Sequence, residues 1–257
     1  MSELRPGSAP APAWFHPHPG PVPAEGEPAP VAGGRSGALR AAIFGVNDGL
    51  VSNLSLIMGV SGAGVDREVV LLAGIAGLLA GAFSMAAGEY ASMRVQREVF
   101  ERLIHWEAHE LATDPEGEMK ELAGILERRG IPAPLARKTS EAVMENPQVA
   151  LEVHAKEELG LDPQELGSPW GAAGSSFAAF AVGAMVPLAP FLFSTGVAVT
   201  LTSVALSLIS LFAVGASMSM FTGRAWWLSG GRMLLIGGGA ALVTYGVGRL
   251  LGVTALG

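Results

Sequence analysis

Five long segments with very few ionisable side chains constrain this chain more than any other feature. They are residues 41–60, 69–92, 171–193, 197–221 and 231–251. Each is close to the ~20 residues that a helix needs to cross the hydrocarbon core of a bilayer. Half of the residues are apolar and only 15% are charged, which is more typical of membrane helices than of a soluble globule. The sequence therefore predicts an all-α membrane protein with five transmembrane helices.

Asp48 lies inside the first of these segments, flanked by the polar residues Asn47, Ser52, Asn53 and Ser55. An ionisable group near the middle of a bilayer costs at least roughly 3 kcal/mol, so such groups are usually retained for an ion or proton pathway. In the alternative interpretation, the segment is a buried helix of a soluble protein and Asp48 is a helix cap or a paired core carboxylate. The scarcity of charge in the rest of the chain favours the pathway.

The basic residues predict how the spans are oriented. With the N-terminus in the cytoplasm, 14 of the 16 Lys and Arg residues fall on the cytoplasmic side, and only Arg67 and Arg249 fall outside. An excess of Lys and Arg in cytoplasmic loops is the main sequence signal for topology. We therefore expect a cytoplasmic N-terminus, a cytoplasmic loop between spans two and three, and an external C-terminus. The expected location is a bacterial inner (plasma) membrane.

The chain divides into four parts by composition. Residues 1–36 hold nine of the seventeen prolines and no apolar run that could serve as a signal peptide, which predicts a disordered Pro-rich tail. Transmembrane helices 1 and 2 follow over 37–93, a charged segment covers 94–167, and transmembrane helices 3 to 5 cover 168–257. No cysteine is present, which excludes disulfides and thiolate metal sites.

The segment 94–167 is acidic and has the pattern of helices. It holds 16 Asp and Glu against 9 Lys and Arg, a balance of −7 that equals the formal net charge of the whole chain. One helix continues out of span two, and a second covers 115–129 behind an Asp114 N-cap. A third covers 135–160 and is interrupted or kinked at Asn146-Pro147. The segment is therefore predicted to be a three-helix cytoplasmic module between membrane helices.

Pairs of carboxylates on this module are spaced for metal binding. Glu107 and Glu110 are three positions apart, as are Glu118 and Glu121, so each pair projects from one helical face. The third helix can close the site with Glu152, His154, Glu157 and Glu158. Clustered carboxylates suit hard or borderline divalent cations, and imidazole adds affinity for Fe²⁺ or Mn²⁺. A solvated acidic helix surface is the alternative, and spacing alone does not decide between the two.

Four runs of this sequence resemble the vacuolar iron transporter family. They are Leu39–Val60 with its Gly45-Val-Asn-Asp-Gly-Leu-Val-Ser52 core, Ala80-Gly-Ala-Phe-Ser-Met-Ala-Ala-Gly-Glu-Tyr90, Glu158-Leu-Gly-Leu161 and Val182-Gly-Ala-Met-Val-Pro-Leu-Ala-Pro190. The likeness covers residues 37–255.

The resemblance implies a homodimer of five-span subunits that exchanges cytosolic Fe²⁺, or in some members Mn²⁺, for protons. It also implies an acidic helical metal-binding domain between spans two and three. By matching position, Asp48 in span one and Met85 in span two look like residues of the metal pathway inside the membrane. Five carboxylates look like those of the cytoplasmic metal site: Glu107, Glu110, Glu118, Glu121 and Glu158.

One position departs from the family pattern. His154 stands four residues before the Glu-Leu-Gly-Leu motif, where plant members have a methionine. Because imidazole can replace a thioether as a metal ligand, the metals expected are Fe²⁺ and also Mn²⁺, Zn²⁺ or Co²⁺. Glu89, at the cytoplasmic end of span two, is predicted either to act as a relay in the pathway or to pair with an arginine such as Arg94.

The sequence does not support an enzyme. A di-iron carboxylate enzyme needs Glu-x-x-His pairs on facing helices, and the sequence has none. The run His105-Trp-Glu-Ala-His109 lacks the His-Glu-x-x-His order of a zinc protease. The remaining rival is a membrane-anchored metal buffer or sensor, but such a protein has no use for Asp48 in the bilayer. The predicted partners are metal ions, protons, lipid and a second copy of the chain, with no nucleic acid.

The predicted orientation can be tested with single cysteines, because the natural sequence has none. In intact cells, Thr113→Cys should resist an impermeant thiol reagent, and Gly257→Cys should react with it. Labelling of Thr113→Cys after permeabilisation is the control for thiol reactivity. The reverse labelling pattern would contradict the predicted topology.

Overall fold

All elements in the part of the chain that the structure describes are helices. The structure is a computed structural model that describes residues 34–194 and 196–256, without the side chains of 34–41, 197, 221–222 and 253–256. Its helices are α1 (Gly34–Gly62), α2 (Arg67–Thr113), α3 (Pro115–Arg128), α4 (Ala133–Met144), α5 (Pro147–Glu157), α6 (Pro169–Phe193), α7 (Val197–Thr222) and α8 (Trp226–Leu256). They form two compact units, one over 103–163 and the other over 34–102 with 164–256.

Five of these helices are long and apolar enough to cross a membrane, which confirms the predicted number of spans. They are α1, α2, α6, α7 and α8, and each contains one predicted span. The predicted tail, 1–36, overlaps the first turn of α1, and residues 1–33 lie outside the described residues. Helix α8 begins at Trp226, before the predicted span 231–251, and continues through Gly230-Gly231. A Cβ on Gly230 would overlap the Phe212 ring, so this glycine serves helix packing.

The short helices begin at side-chain caps followed by proline. Asp114 Oδ1 accepts a hydrogen bond from Gly117 N (3.0 Å) at the start of α3. Asn146 Oδ1 accepts one from Gln148 N (3.0 Å) at the start of α5. The third predicted helix of the module is therefore two helices, α4 and α5, with the interruption at the predicted place.

Helix α1 lies against α6 and α8 with backbone facing backbone. A Cβ on Gly183 of α6 would overlap the Val46 carbonyl oxygen, and a Cβ on Gly248 of α8 would overlap the Gly59 carbonyl oxygen. Small residues at such crossings let membrane helices approach closely. Glycines at these positions therefore set the distance from α1 to both neighbours.

Helix α2 packs on the same group of helices through side chains. Leu78 and Ala82 of α2 join Ile57 of α1 and Phe180 and Leu188 of α6 in one buried cluster. This cluster places the apolar half of α2 beside α1, with the polar residues of both helices close to one another.

Arg67, the first residue of α2, caps the C-terminal end of α6. Its Nε donates to the Phe191 carbonyl oxygen (2.8 Å) and its Nη2 to the Leu192 carbonyl oxygen (3.1 Å). The last carbonyls of a helix lack partners within the helix, and a cation there interacts favourably with the helix dipole. Arg67 therefore ties the start of α2 to the end of α6.

The glycine contact between α1 and α6 predicts a stability difference between two substitutions on one helix. Gly183→Ala places a methyl group on the Val46 carbonyl, and such overpacking costs about 1–3 kcal/mol. Gly174→Ala is the matched control, because a Cβ there meets no atom within 4 Å. In detergent, Gly183→Ala should lower the melting temperature of the chain by several degrees, and Gly174→Ala should leave it unchanged or raise it. Equal melting temperatures would contradict the close contact.

Candidate functional site

Three helices bring four side chains of metal-ligand type together. Glu107 comes from α2, Glu118 from α3 and His154 from α5, and Glu158 is the C-cap residue of α5. One ligand atom from each lies within 4.8 Å of the others. His154 Nδ1 is 3.2 Å from Glu107 Oε1 and 3.5 Å from Glu118 Oε2. We call these four residues the carboxylate–histidine cluster.

The carboxylate–histidine cluster is shielded from water. Glu107 is 2% exposed, His154 is 0% exposed, and the Glu118 side chain is 12% exposed. His154 Nε2 and Glu158 Oε2 find no hydrogen-bond partner among the residues that the structure describes. Such an unpaired buried atom costs roughly 1–3 kcal/mol, and a divalent cation bound by three carboxylates and one imidazole would remove that cost. The burial favours a metal site over a solvated acidic surface.

Burial and mutual repulsion keep protons on this cluster. Burial raises the pKa of the Glu118 carboxyl to about 7, and the neighbouring Glu107 carboxylate adds to the rise. Burial, followed by Glu107 and Glu121, raises the pKa of Glu158 to about 7 as well. Burial opposes a charge on His154, but the nearby carboxylates of Glu107, Glu118 and Glu158 together outweigh burial and raise the imidazole pKa. A cation that enters the site near neutral pH must therefore displace protons.

Two of the six predicted ligands lie beside the cluster. Glu110 and Glu121 are half-buried and do not contribute to the set of ligand atoms within 4.8 Å. Their charges still act on the cluster, because Glu121 and Glu110 add to the effect of burial and Glu107 in raising the pKa of Glu118. Burial, then Glu107, then Glu121 raise the pKa of the Glu110 carboxyl. The structure thus brings together four of the predicted ligands and leaves these two as neighbours.

Two further carboxylates of α5 are held in ion pairs. Glu152 Oε1 lies 2.7 Å from Lys156 Nζ one turn along the helix, and Glu157 pairs with Arg129 at the end of α3. Both were candidates from spacing alone. The structure leaves Glu158 as the carboxylate of this segment that belongs to the cluster.

A second polar site lies among the apolar helices. An open cavity of about 320 Å³ is lined by Asp48, Ser52, Asn53, Leu56, Gly77, Gly81, Ser84, Met85 and Phe180. Ser52 Oγ donates a hydrogen bond to Asp48 Oδ1 (3.1 Å). This membrane cavity combines a carboxylate, hydroxyls, an amide and a thioether, which together offer hard and soft donors to a cation. The structure therefore brings Asp48 and Met85 to one cavity.

Glu89, the third predicted pathway residue, does not line the membrane cavity. It is half-buried on α2, one turn beyond Met85 on the same helical face. Arg94 pairs with Glu98 (2.8 Å), and the structure does not show the alternative pair of Arg94 with Glu89.

Asn53 and Ser84 line the membrane cavity but were not predicted as site residues. The signal in the sequence was their polarity within apolar runs, with Asn53 following Asp48 by five positions and Ser84 directly preceding Met85.

The sequence matches a known family over most of its length. The sequence model of the VIT family matches residues 39–249. This chain belongs to the VIT family. Vacuolar iron transporter 2 of Oryza sativa subsp. japonica is 33% identical over 212 residues, which cover 82% of this VIT chain and 86% of the relative. Vacuolar iron transporter of Acanthamoeba castellanii is 34% identical over 223 residues, which cover 84% and 80%. Vacuolar iron transporter 1 of Arabidopsis thaliana is 34% identical over 189 residues, which cover 72% and 74%.

The match confirms the resemblance that the sequence motifs indicated. The VIT family is a family of transporters and not of enzymes, which also confirms the prediction that this chain is not an enzyme. The family match and the five apolar helices make the VIT chain an integral membrane protein.

The raised pKa values predict an unusual pH dependence of metal binding by the VIT chain. Because the Glu118 and Glu158 carboxyls titrate at about 7, both must lose protons to bind a cation, and affinity should fall as the pH drops through 7. Calorimetry of the purified chain with Mn²⁺ should show a loss of about five- to thirtyfold from pH 7 to 6, for one or two displaced protons, since a carboxyl with a pKa of about 7 goes from about half to about nine-tenths protonated in this range. Ordinary carboxylates, with pKa values near 4, would give a flat profile in this range.

A matched pair of variants isolates the cluster in this measurement. Glu118→Gln should bind Mn²⁺ more weakly and with a shallower pH slope, since one ligand and one displaced proton are lost. Glu127→Gln, at an exposed position of the same helix, should keep the parent affinity and slope. An affinity that stays constant between pH 6 and 8 in the parent would contradict the site.

Proposed function

We propose that this chain transports Fe²⁺, and also Mn²⁺, from the cytoplasm outward across the membrane in exchange for protons. It acts as a homodimer in a bacterial inner membrane, with the N-terminus and the module 94–167 in the cytoplasm. The observation that carries the proposal is the presence of Asp48 and Met85 in one cavity among apolar helices. The names of the relatives, which are iron transporters, support iron as the substrate.

The membrane cavity has the chemistry that a translocated cation needs. A divalent ion must leave most of its water to cross an apolar region, and a carboxylate can offset part of that cost. Asp48 supplies the negative charge, and the Met85 sulfur supplies a weak ligand that releases the ion easily. In this proposal, a proton replaces the metal ion at Asp48 when the ion leaves, and this replacement couples metal transport to proton flux.

The carboxylate–histidine cluster is suited to collecting the ion from a dilute pool. It is buried, carries three carboxylates and one imidazole, and has raised pKa values that make its affinity depend on pH. Glu110 and Glu121 add negative charge beside it, which favours the approach of cations. In this proposal the cluster determines how well the protein works when metal is scarce.

The homodimer is supported by where the membrane cavity opens. Asp48, Ser52 and Ser84 are exposed on the single chain, beside exposed apolar residues such as Phe83 and Leu79. A polar opening on an apolar face is unfavourable against lipid. A second copy of the chain over this face would enclose the opening and add a second Asp48 and Met85.

A membrane-anchored metal buffer or sensor is the second candidate function, and the buried cluster supports it as well as it supports transport. Such a protein would need the cluster and not the cavity. The two functions therefore differ in what happens when Asp48 is changed.

Transport by reconstituted protein tests the proposal through Asp48→Asn. The amide keeps the size of the side chain but cannot neutralise a desolvated cation or titrate, so Fe²⁺ uptake into liposomes should fall by roughly a hundredfold or more. An internal pH dye should show that the linked proton flux disappears with it. Mn²⁺ binding by the cluster should stay at the parent value in calorimetry.

Two comparisons complete this experiment. Glu118→Gln should reduce uptake chiefly at low Fe²⁺ concentration, because collection is then limiting. Parent-level uptake and proton flux in the Asp48→Asn protein would overturn the proposed pathway. If the parent protein takes up no metal at all, the metal buffer or sensor is the function that remains.

A further inference from the structure

Asn53 is the most deeply buried polar residue of the membrane cavity. It is 2% exposed, and its Nδ2 donates a hydrogen bond of 2.7 Å to the Ala184 carbonyl oxygen of α6. A carbonyl oxygen can only accept, so the atom that faces it must be the amide nitrogen. The hydrogen bond therefore identifies which amide atom is nitrogen, and the other atom, the oxygen Oδ1, is the one that does not face the Ala184 carbonyl.

The Oδ1 atom of Asn53 has no hydrogen-bond partner among the described residues. It borders Gly77, another residue that lines the cavity, where a Cβ would lie 3.1 Å from it. Buried acceptors are almost always paired, and an unpaired one in a native protein calls for a ligand, an ion or a water. With glycine at position 77, no side chain of that residue stands between this oxygen and the cavity, and the oxygen itself is shielded from water.

Other buried polar atoms on α1 do not share this placement. Asn47 Oδ1, Ser55 Oγ and Ser61 Oγ also lack partners in the described part of the chain, but these residues do not line the cavity. Asn53 alone among these four combines an unpaired oxygen with a position beside Asp48 and Met85.

We infer that Asn53 is a third metal-contacting residue of the pathway, and that its amide oxygen selects for oxygen-preferring cations. The inference rests on the proposed function. The Asn53 oxygen is a neutral, hard donor that replaces a water of the ion without adding a second full charge. Asp48 neutralises the cation, Met85 offers a soft contact, and Asn53 shifts the balance of the site towards Fe²⁺ relative to Co²⁺, which binds more strongly to most ligand sets.

Asn53→Leu removes the oxygen and keeps the number and branching of the side-chain heavy atoms, and Ser203→Ala is its matched control. Ser203 is fully buried and its Oγ donates to the Pro187 carbonyl oxygen of α6 (2.6 Å), but it does not line the cavity. Both substitutions thus remove one buried hydrogen bond to the α6 backbone, and only Asn53→Leu also removes a cavity oxygen.

Anaerobic Fe²⁺ uptake into proteoliposomes, with Co²⁺ as competitor, is the measurement. Asn53→Leu should raise the KM for Fe²⁺ by about tenfold, since a polar contact to a charged group has about that worth, with a smaller change in the inhibition constant of Co²⁺. Ser203→Ala should keep both constants at parent values. If Asn53→Leu and Ser203→Ala change both constants alike, Asn53 is structural and the inference is overturned.

A second pair of variants keeps Asn53 and its bond to Ala184 intact. Gly77→Ala displaces the Leu56 side chain and places a methyl group 3.1 Å from Asn53 Oδ1, so it should reproduce the loss of Fe²⁺ preference, whether or not Asn53→Leu folds. Gly74→Ala, on the same helix, likewise displaces a leucine side chain, that of Leu188, but does not line the cavity, and it should keep the parent ratio of the two constants. An unchanged ratio of the two constants in Gly77→Ala would overturn the inference.

The Asp48→Asn protein in the same assay separates the two proposals. Loss of uptake in Asp48→Asn together with parent-like constants in Asn53→Leu would leave the transport function standing and remove Asn53 from the pathway. Uptake that does not depend on Asp48 would overturn the proposed function, and the role of Asn53 with it.

Discussion

A carboxylate or an unpaired polar atom away from water is unfavourable by several kcal/mol unless a counter-charge or hydrogen bond compensates, and both polar sites of this chain depend on that constraint. In the carboxylate–histidine cluster, protons on Glu118 and Glu158 limit the repulsion around the buried Glu107. In the membrane cavity, the donor to Asp48 in the described part of the chain is the Ser52 hydroxyl, which carries no charge. No cationic side chain among the described residues lines the membrane cavity, and the cluster has three carboxylates against one imidazole, so a divalent cation supplies the missing positive charge at both sites.

Local chemistry made most of the helices predictable. Five charge-poor runs were sufficient to locate α1, α2, α6, α7 and α8, because length and hydropathy alone decide whether a helix can cross a bilayer. The caps before proline at Asp114 and Asn146 made the short helices predictable in the same way. The predicted span 231–251 lies within α8, which begins earlier, at Trp226, and continues through Gly230, where a Cβ would overlap Phe212.

The composition of the sites was only partly predictable, because it depends on contacts between distant parts of the chain. Spacing showed that Glu107 and Glu110 share a helical face, but the approach of α5 decides which of them meets His154. Spacing did not separate Glu152 from Glu158, the family resemblance indicated Glu158, and the structure shows Glu152 paired with Lys156. The partner of Asn53 lies 131 positions away on α6, so neither its burial nor its orientation could be inferred from the segment around it.

The glycines of the apolar helices make two kinds of contact, one with the backbone of a neighbouring helix and one with its side chains. Glycines of α6 and α8 meet the α1 backbone itself, and a backbone contact leaves no side chain whose rotation could accommodate sliding. Glycines of α2 instead receive side chains: Leu188 at Gly74, Leu56 at Gly77 and Phe180 at Gly81. A packed interface between helices can switch only between a few distinct arrangements. Side chains that change rotamer make such a switch possible, and direct backbone contacts do not. We therefore expect α1, α6 and α8 to move as one rigid block, and α2, which Arg67 holds at its start, to be the helix whose packing against that block adjusts around the cavity.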